Sequence, residues 1–251
     1  MLSFIGLGLY DDRSITLQGK DALADADDAF AEFYTSFLAG TTVEDIETTH
    51  DIDITVRDRA GVEQHPEPIL DAAADGHAAF LTAGDPMIST THVDLRLRAI
   101  DRGIETRVVH GTTAQTAASS LTGLQNYRFG KATTLPFERS HGGDGVPASV
   151  LDTIEDNTDR DLHTLVYLDI DRENDDYMTG AHAASLLTEA GLERLGVVVG
   201  QAGSENPTVV ADDLSALAEQ TFGDPLHMLV LPADVHPLER DALRELAGVS
   251  V

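Results

Sequence analysis

The 251-residue chain predicts an α/β protein made of two α/β domains with mostly parallel sheets. Three observations lead there. Short apolar runs of strand length alternate with segments of helical periodicity. The alternation breaks near residues 110–114 and then resumes, which sets the expected domains at 1–111 and 112–251. The apolar share of 42% matches an ordinary globular core.

The elements follow in order. "LSFIGLGL" (2–9) reads as a strand ending in a glycine turn, 16–26 as a short helix and "DAFAEF" (28–33) as a second strand. Residues 42–49 are helical and 53–56 extended. "PEPILDAAADG" (66–76) has Pro near its start and Gly past its end, as helix caps prefer. "AAFLTA" (78–83) is a strand, 90–102 a helix closed by Gly103, and "IETRVVH" (104–110) a strand. In the second half, 113–121 reads as helix, 132–137 as extended and 140–147 as the most flexible stretch. Then come helix 147–157, strand 163–170, helix 178–190, strand 195–201, helix 212–219, strand 227–232 and helix 238–247. No repeat or low-complexity tract is present.

Composition narrows the function. Sixteen Lys+Arg face forty-four Asp+Glu, a net charge of −28, and lysine occurs only at Lys20 and Lys131. The acidic residues are spread along a well-cored chain, not gathered in a tail. That fits an intracellular environment of very high salt, where screening removes most self-repulsion. It argues against nucleic acid as partner, because phosphate contacts need Lys/Arg clusters. There is no cysteine, so disulfide and thiol chemistry are excluded. No apolar run is long enough to span a membrane. "MLSFIGLGLY" lacks the basic start and cleavage site of a signal peptide, so the expected location is cytoplasmic.

Motifs of familiar chemistry are mostly missing. "GLGLYD" (6–11) has Asp11 where a dinucleotide fingerprint needs its third glycine, and no lysine completes a P-loop. The glycines therefore mark a close-approach loop of another kind. Asp85 in "GDPMISTTH" (84–92) follows a buried strand, where open α/β sheets bind ligands; taken alone it reads as a turn or N-cap aspartate. The ten histidines show no metal spacing. His92, His110, His163, His227 and His236 stand at element ends, where each alone reads as structural. No metal site and no nucleophile is expected.

Read together, the stretches do more. "FIGLGLYDDRSITLQG", "AEFYTSFLAGTT", "GDPMISTTH", "GLQNYRFGK", "LHTLVYLDI", "AGSENPTVVA", "FGDPLH" and "VHPLE" come in the order and spacing of the diphthine synthases. That family is part of the tetrapyrrole methylase (class III) methyltransferases. The resemblance spans residues 2 to about 248. "GLGLYD…IT" and "GDPxxxTTH" are shared loosely across the superfamily, whereas "AEFYTS", "GLQxYRFG" and "HTLxxLDI" are far more specific.

The resemblance implies two domains with S-adenosyl-L-methionine in the cleft between them, and a homodimer. It implies repeated N-methylation of a 3-amino-3-carboxypropyl group on a histidine of translation elongation factor 2, with S-adenosyl-L-homocysteine released. Family cofactor contacts fall on Leu9, Asp85, Ile88, Thr113, Ala114, Leu168, Ala202 and His227. Departures are Thr113-Ala114 where members often carry Ser-Ile, Gln201 where Arg is common, and Ala233 where Gly is usual. The alternatives are a methyltransferase acting on a tetrapyrrole, whose polyanionic substrate so acidic a surface would repel at low salt, and a non-catalytic S-adenosylmethionine-binding protein. No general base is assigned.

Overall fold

A computed structural model describes residues 1–143, 145–172 and 174–249. Residue 144 of the loop expected at 140–147 lies outside them. The chain forms two compact units, Met1–Thr113 and Ala114–Val251.

The first unit contains β1 (Leu2–Gly6), α1 (Leu17–Ala24), β2 (Asp28–Glu32), α2 (Val43–His50), β3 (Ile54–Arg57), α3 (Arg59–Glu63), α4 (Glu67–Asp75), β4 (Ala78–Thr82), α5 (Val93–Asp101) and β5 (Thr106–Val109). Its strands form one all-parallel sheet in the order β3-β2-β4-β1-β5. β1 and β4 are buried at every position, which is why they read as continuous apolar runs. Alternate side chains feed two layers. Ile5, Ala29, Ala31, Ala79 and Leu81 meet Leu23 of α1 and Ile46 of α2. Leu2, Phe4, Phe30 and Phe80 meet Leu70 of α4 and Leu95 of α5. The helix starts are set locally: the Thr16 hydroxyl accepts from Gly19 N–H at 3.0 Å, and Thr42 and Asp45 form a capping box. Gly76 closes α4 as expected.

The second unit contains α6 (Ala114–Thr122), β6 (Thr133–Leu135), α7 (Glu138–His141), α8 (Ala148–Asp159), β7 (Thr164–Leu168), β8 (Ile170–Asp171), β9 (Asp176–Tyr177), α9 (Gly180–Glu189), β10 (Leu195–Gly200), β11 (Thr208–Asp213), α10 (Leu214–Leu217), β12 (His227–Leu231) and α11 (Pro237–Ala247). The main sheet has the order β11-β10-β12-β7-β6. The α/β class and the two sheets are as expected, but this sheet is mixed, not mostly parallel. Only β6–β7 is parallel; β10–β11, β10–β12 and β12–β7 are antiparallel. The 201–207 link is too short for the crossover that a parallel neighbour needs, so β10 and β11 pair as a hairpin. β11 itself takes residues 212 and 213 from the helix expected at 212–219, leaving α10 a single turn.

Three of the family-specific stretches meet in one buried polar knot of this unit. Arg128 of "GLQNYRFG" donates through Nη1 to Glu239 of "VHPLE" and through Nη2 to the carbonyls of Asp161 (3.2 Å) and Asp234 (2.7 Å). Glu239 is fully buried and also accepts from Gln125 N–H at 2.9 Å, His163 Nε2 at 3.0 Å and His236 N–H at 3.0 Å. His163 Nδ1 in turn accepts from Ala233 N–H at 3.0 Å, so the ring is a neutral Nε2–H tautomer. Burial opposes ionisation of Glu239, yet the donors from Gln125, His163 and His236 outweigh it and bring its pKa down to about 2. These motifs are thus explained by packing rather than by chemistry on a substrate.

Candidate functional site

The first unit builds its site at the carboxyl ends of β1 and β4. These neighbours send their chains to opposite faces of the sheet: β1 leads to α1 on one layer and β4 to α5 on the other. Such a switch point opens a crevice beyond the strand ends, where α/β sheets bind ligands. Gly8 and Gly84 close over it in an antiparallel bridge, with Gly84 N–H donating to Gly8 O at 2.7 Å and Gly8 N–H to Gly84 O at 3.2 Å. Gly84 has φ +74°, which a side chain rarely tolerates. A Cβ on Gly6 would sit 2.5 Å from Gly84 O and 2.6 Å from Gly111 N, so three strand ends pack backbone against backbone. Gly111 is the partner that sequence reading does not single out, because a lone glycine after a strand carries no signal of what it touches.

Asp85 is buried in this edge. Its Oδ1 accepts from Met87 N–H at 2.9 Å, while Oδ2 meets His110 Nδ1 at 2.8 Å and accepts from Gly111 N–H at 3.3 Å. One carboxylate therefore both closes its own turn and ties the end of β4 to the end of β5. The turn reading is thus met, and the carboxylate also stands at the strand ends where open α/β sheets bind ligands. Leu9 lies next to the bridge, and its carbonyl accepts from the Ser14 hydroxyl and from Asp11 N–H. Ile88 is anchored through its N–H to Asp85 O at 3.4 Å and leaves its side chain 44% exposed. Thr113 ends the unit. Leu9, Asp85 and Ile88 are thus brought together.

In the second unit, β12 runs antiparallel to β7 and β10, so its start lies beside their ends. His227 pairs with Gly200, and Leu168 is one register step beyond the Met228–Tyr167 pair. Gln201 N–H donates to Leu226 O at 3.0 Å, holding Ala202 next to this edge. Leu168, Ala202 and His227 are therefore neighbours. The Leu168 side chain is spent in the core, which leaves its backbone for any ligand. His227 is buried and accepts at Nδ1 from Gly180 N–H at 3.1 Å; Nε2 then carries the hydrogen and has no hydrogen-bond partner. Burial lowers its pKa, so the ring is neutral. Ala114 opens α6 and packs into the apolar layer of Leu165 and Val197, against which Ala202 also packs.

The second unit also has a cavity of about 380 Å³, whose lining includes Phe137, Arg139, Asp176, Tyr177, Met178 and His182. Among the described residues no group of His, Asp and Glu is arranged to hold a metal ion, and no helix is long and apolar enough to cross a membrane.

Residues 1–218 match the model of the Tetrapyrrole (Corrin/Porphyrin) Methylases. The chain is 65% identical to a protein of Haloarcula marismortui named diphthine synthase, over 100% of both chains. It is 48% identical to the diphthine synthase of Methanosphaerula palustris, again over 100% of both. A crystal structure of diphthine synthase superposes with a TM-score of 0.92 at 34% identity, covering 99% of this chain and 96% of the other. The chain belongs to the diphthine synthases, within the tetrapyrrole methylase family. Members of the family use S-adenosylmethionine as methyl donor, and this chain is an S-adenosylmethionine-dependent methyltransferase. The residues present suit that molecule. The glycine-lined end of the first sheet leaves backbone amides and carbonyls where side chains would stand, and His227 offers a buried, neutral N–H without a partner.

Proposed function

We propose that this chain transfers methyl groups from S-adenosylmethionine to the amino group of the 3-amino-3-carboxypropyl-histidine of translation elongation factor 2, yielding diphthine in diphthamide biosynthesis. The observation that carries this reading is the full-length likeness to proteins named diphthine synthase. Leu9, Asp85, Ile88 and Thr113 from the first unit, and Ala114, Leu168, Ala202 and His227 from the second, are the proposed cofactor contacts. The two units serve as the domains expected at 1–111 and 112–251. A homodimer fits the family, and the exposed stripe Val93, Leu97 and Ile100 along α5 is apolar surface of the kind a subunit contact covers. A reaction on a translation factor places the protein in the cytoplasm.

The bound cofactor supplies an electrophilic methyl on a cationic sulfonium. The protein's part is to hold, align and desolvate. Alignment alone is worth about 7–11 kcal/mol in favourable cases. Backbone groups and a neutral imidazole suit a reaction in which positive charge leaves the donor, because added anionic charge at the sulfur would stabilise the ground state. The Asp85 oxygens are directed to Met87, His110 and Gly111 rather than left free for the sulfonium.

Two results are expected. Labelled S-adenosylmethionine should mark elongation factor carrying the aminocarboxypropyl group and leave unmodified factor unlabelled, as mass spectrometry of the product will read. The rate should climb with pH until the bound amine is mostly neutral, because only its lone pair forms the new C–N bond. Equal labelling of the unmodified factor, or of uroporphyrinogen instead, would overturn the acceptor. Second, Asp85→Ala should weaken cofactor binding about tenfold or more, beyond its effect on folding, in calorimetric titrations run beside melting curves. Unchanged affinity would leave Asp85 a turn residue only.

A further inference from the structure

Beneath the Gly84–Asp85–Pro86 turn lies a buried pair that the cofactor contacts do not include. Glu32, the last residue of β2, is fully buried and stands in register with Thr82 of β4. Its Oε2 accepts from Tyr34 N–H and Thr35 N–H, both at 3.1 Å, and its Oε1 accepts from the Thr35 hydroxyl. The same Oε1 faces His92 Nε2 at 3.5 Å. His92 is 1% exposed and set edge-on to Phe80, with ring centroids 5.1 Å apart. Its Nδ1 lies 3.1 Å from the Pro86 carbonyl, which also accepts from the Thr90 hydroxyl at 3.2 Å. Two stretches sixty residues apart, "AEFYTS" and "TTH", thus meet beneath the turn, the second reaching its Pro86 carbonyl.

We propose that Glu32 and His92 are positioning residues for methyl transfer, a brace that holds the Pro86 carbonyl and with it the Gly-Asp-Pro turn where the methyl donor binds. This rests on the reading of that turn as a cofactor contact. The protonation follows from the partners. Pro86 O can only accept, so Nδ1 carries a hydrogen. Nε2 makes no hydrogen bond, and it and Oε1 are then two acceptors face to face unless one proton sits between them, so the brace is tightest while that proton is held. Burial lowers the His92 pKa, and Glu32, then the Pro86 carbonyl and Glu63, oppose it. The other charged or titratable groups around the pair are Glu63 of α3, which accepts from the Thr91 hydroxyl at 3.1 Å, Arg59 of α3 over the Tyr34 ring at 4.9 Å, and Tyr34 itself, whose pKa burial and then Glu32 push up. Raising the pH through that lowered value, below the ordinary 6.5, removes the shared proton and turns attraction into repulsion, so cofactor affinity falls.

The test is S-adenosylmethionine titration by calorimetry in molar KCl, with melting curves for each variant. The amide of Asn reproduces His Nδ1 and the amide of Gln reproduces Nε2. His92→Asn keeps the donor to Pro86 and should bind within about threefold of the unaltered protein, whereas His92→Gln loses it and should bind about tenfold or more weakly. Glu32→Gln places a permanent N–H opposite Nε2. It should flatten the fall in affinity that the unaltered protein shows as pH rises toward the ordinary imidazole value of 6.5, since burial places the loss of the His92 proton below it. A purely structural role would shift melting temperatures while leaving affinity and its pH profile alike in the folded variants, and that result overturns the brace. Absence of any binding by the unaltered protein overturns the cofactor reading on which it rests.

Discussion

Glu239→Ala lowers the stability of the second unit by about 3–5 kcal/mol, the usual cost of stranding one partner of a buried ion pair. Arg128 is 6% exposed and loses the carboxylate on its Nη1, keeping only the carbonyls of Asp161 and Asp234 and the Asp161 carboxylate. Gln125 N–H, His163 Nε2 and His236 N–H lose their acceptor in the same step. Urea unfolding in molar KCl measures the loss. Replacing both members with apolar residues, as Arg128→Met with Glu239→Leu, should recover most of it, because a buried pair can give way to hydrophobic packing at little cost. A loss under about 1 kcal/mol in the single variant would mean water reaches the guanidinium and the knot is not buried in solution. Acid acts on the same group of residues. Glu239 titrates in the fold near 2, below its ordinary 4.5, so its contribution is complete above that ordinary value and fades as pH falls toward 2. Burial also lowers the pKa of His163, whose contribution is complete above 6.5 and fades as pH drops below it. Both push the same way.

The knot shows what the sequence could and could not disclose. β1, β4 and β12 were legible because full burial makes them unbroken apolar runs. Strand direction in the second sheet was not, since an apolar strand reads the same in either pairing, and β11 was obscured by Pro207 before it and Asp212 and Asp213 at its end. The α3 turn (Arg59–Glu63) and the β8–β9 hairpin were too short for periodicity to register. Within the site, the place of Asp85 beyond β4 could be read from local pattern. Its partners His110 and Gly111 are 25 and 26 residues away, and Glu32 meets His92 only through the parallel order of the sheet. Motif likeness named the family without distinguishing residues that hold the fold from residues that meet the cofactor. "GLQNYRFG" and "VHPLE" belong to the first kind, and "GDPMI" holds the turn through Asp85.

Melting temperature and methyl transfer rise together as KCl goes from about 0.1 M to molar, with a gain of roughly 10 °C or more, equivalent to roughly 3–5 kcal/mol for a chain of this size. Sixteen basic residues cannot neutralise forty-four carboxylates; one-to-one pairing leaves 44 − 16 = 28 unmatched. Several of the arginines are committed to local, exposed pairs: Arg98 with Asp94, Arg102 with Asp71, Arg139 with Asp176 and Arg244 with Asp241. Such pairs contribute about 1 kcal/mol at most and weaken as salt rises, so they oppose the trend without reversing it. Repulsion among the unmatched charges is the larger effect. Its reach contracts from about 10 Å at 0.1 M to about 3 Å at 1 M, less than the usual spacing of surface carboxylates. Sodium and potassium chloride should act nearly alike if screening is the cause, whereas an uncharged osmolyte should do much less. Replacing a set of exposed aspartates with asparagine should raise stability at low salt and flatten the curve. A melting temperature that stays flat across the range in the unaltered protein would show that the acidic surface serves some purpose other than tolerance of salt.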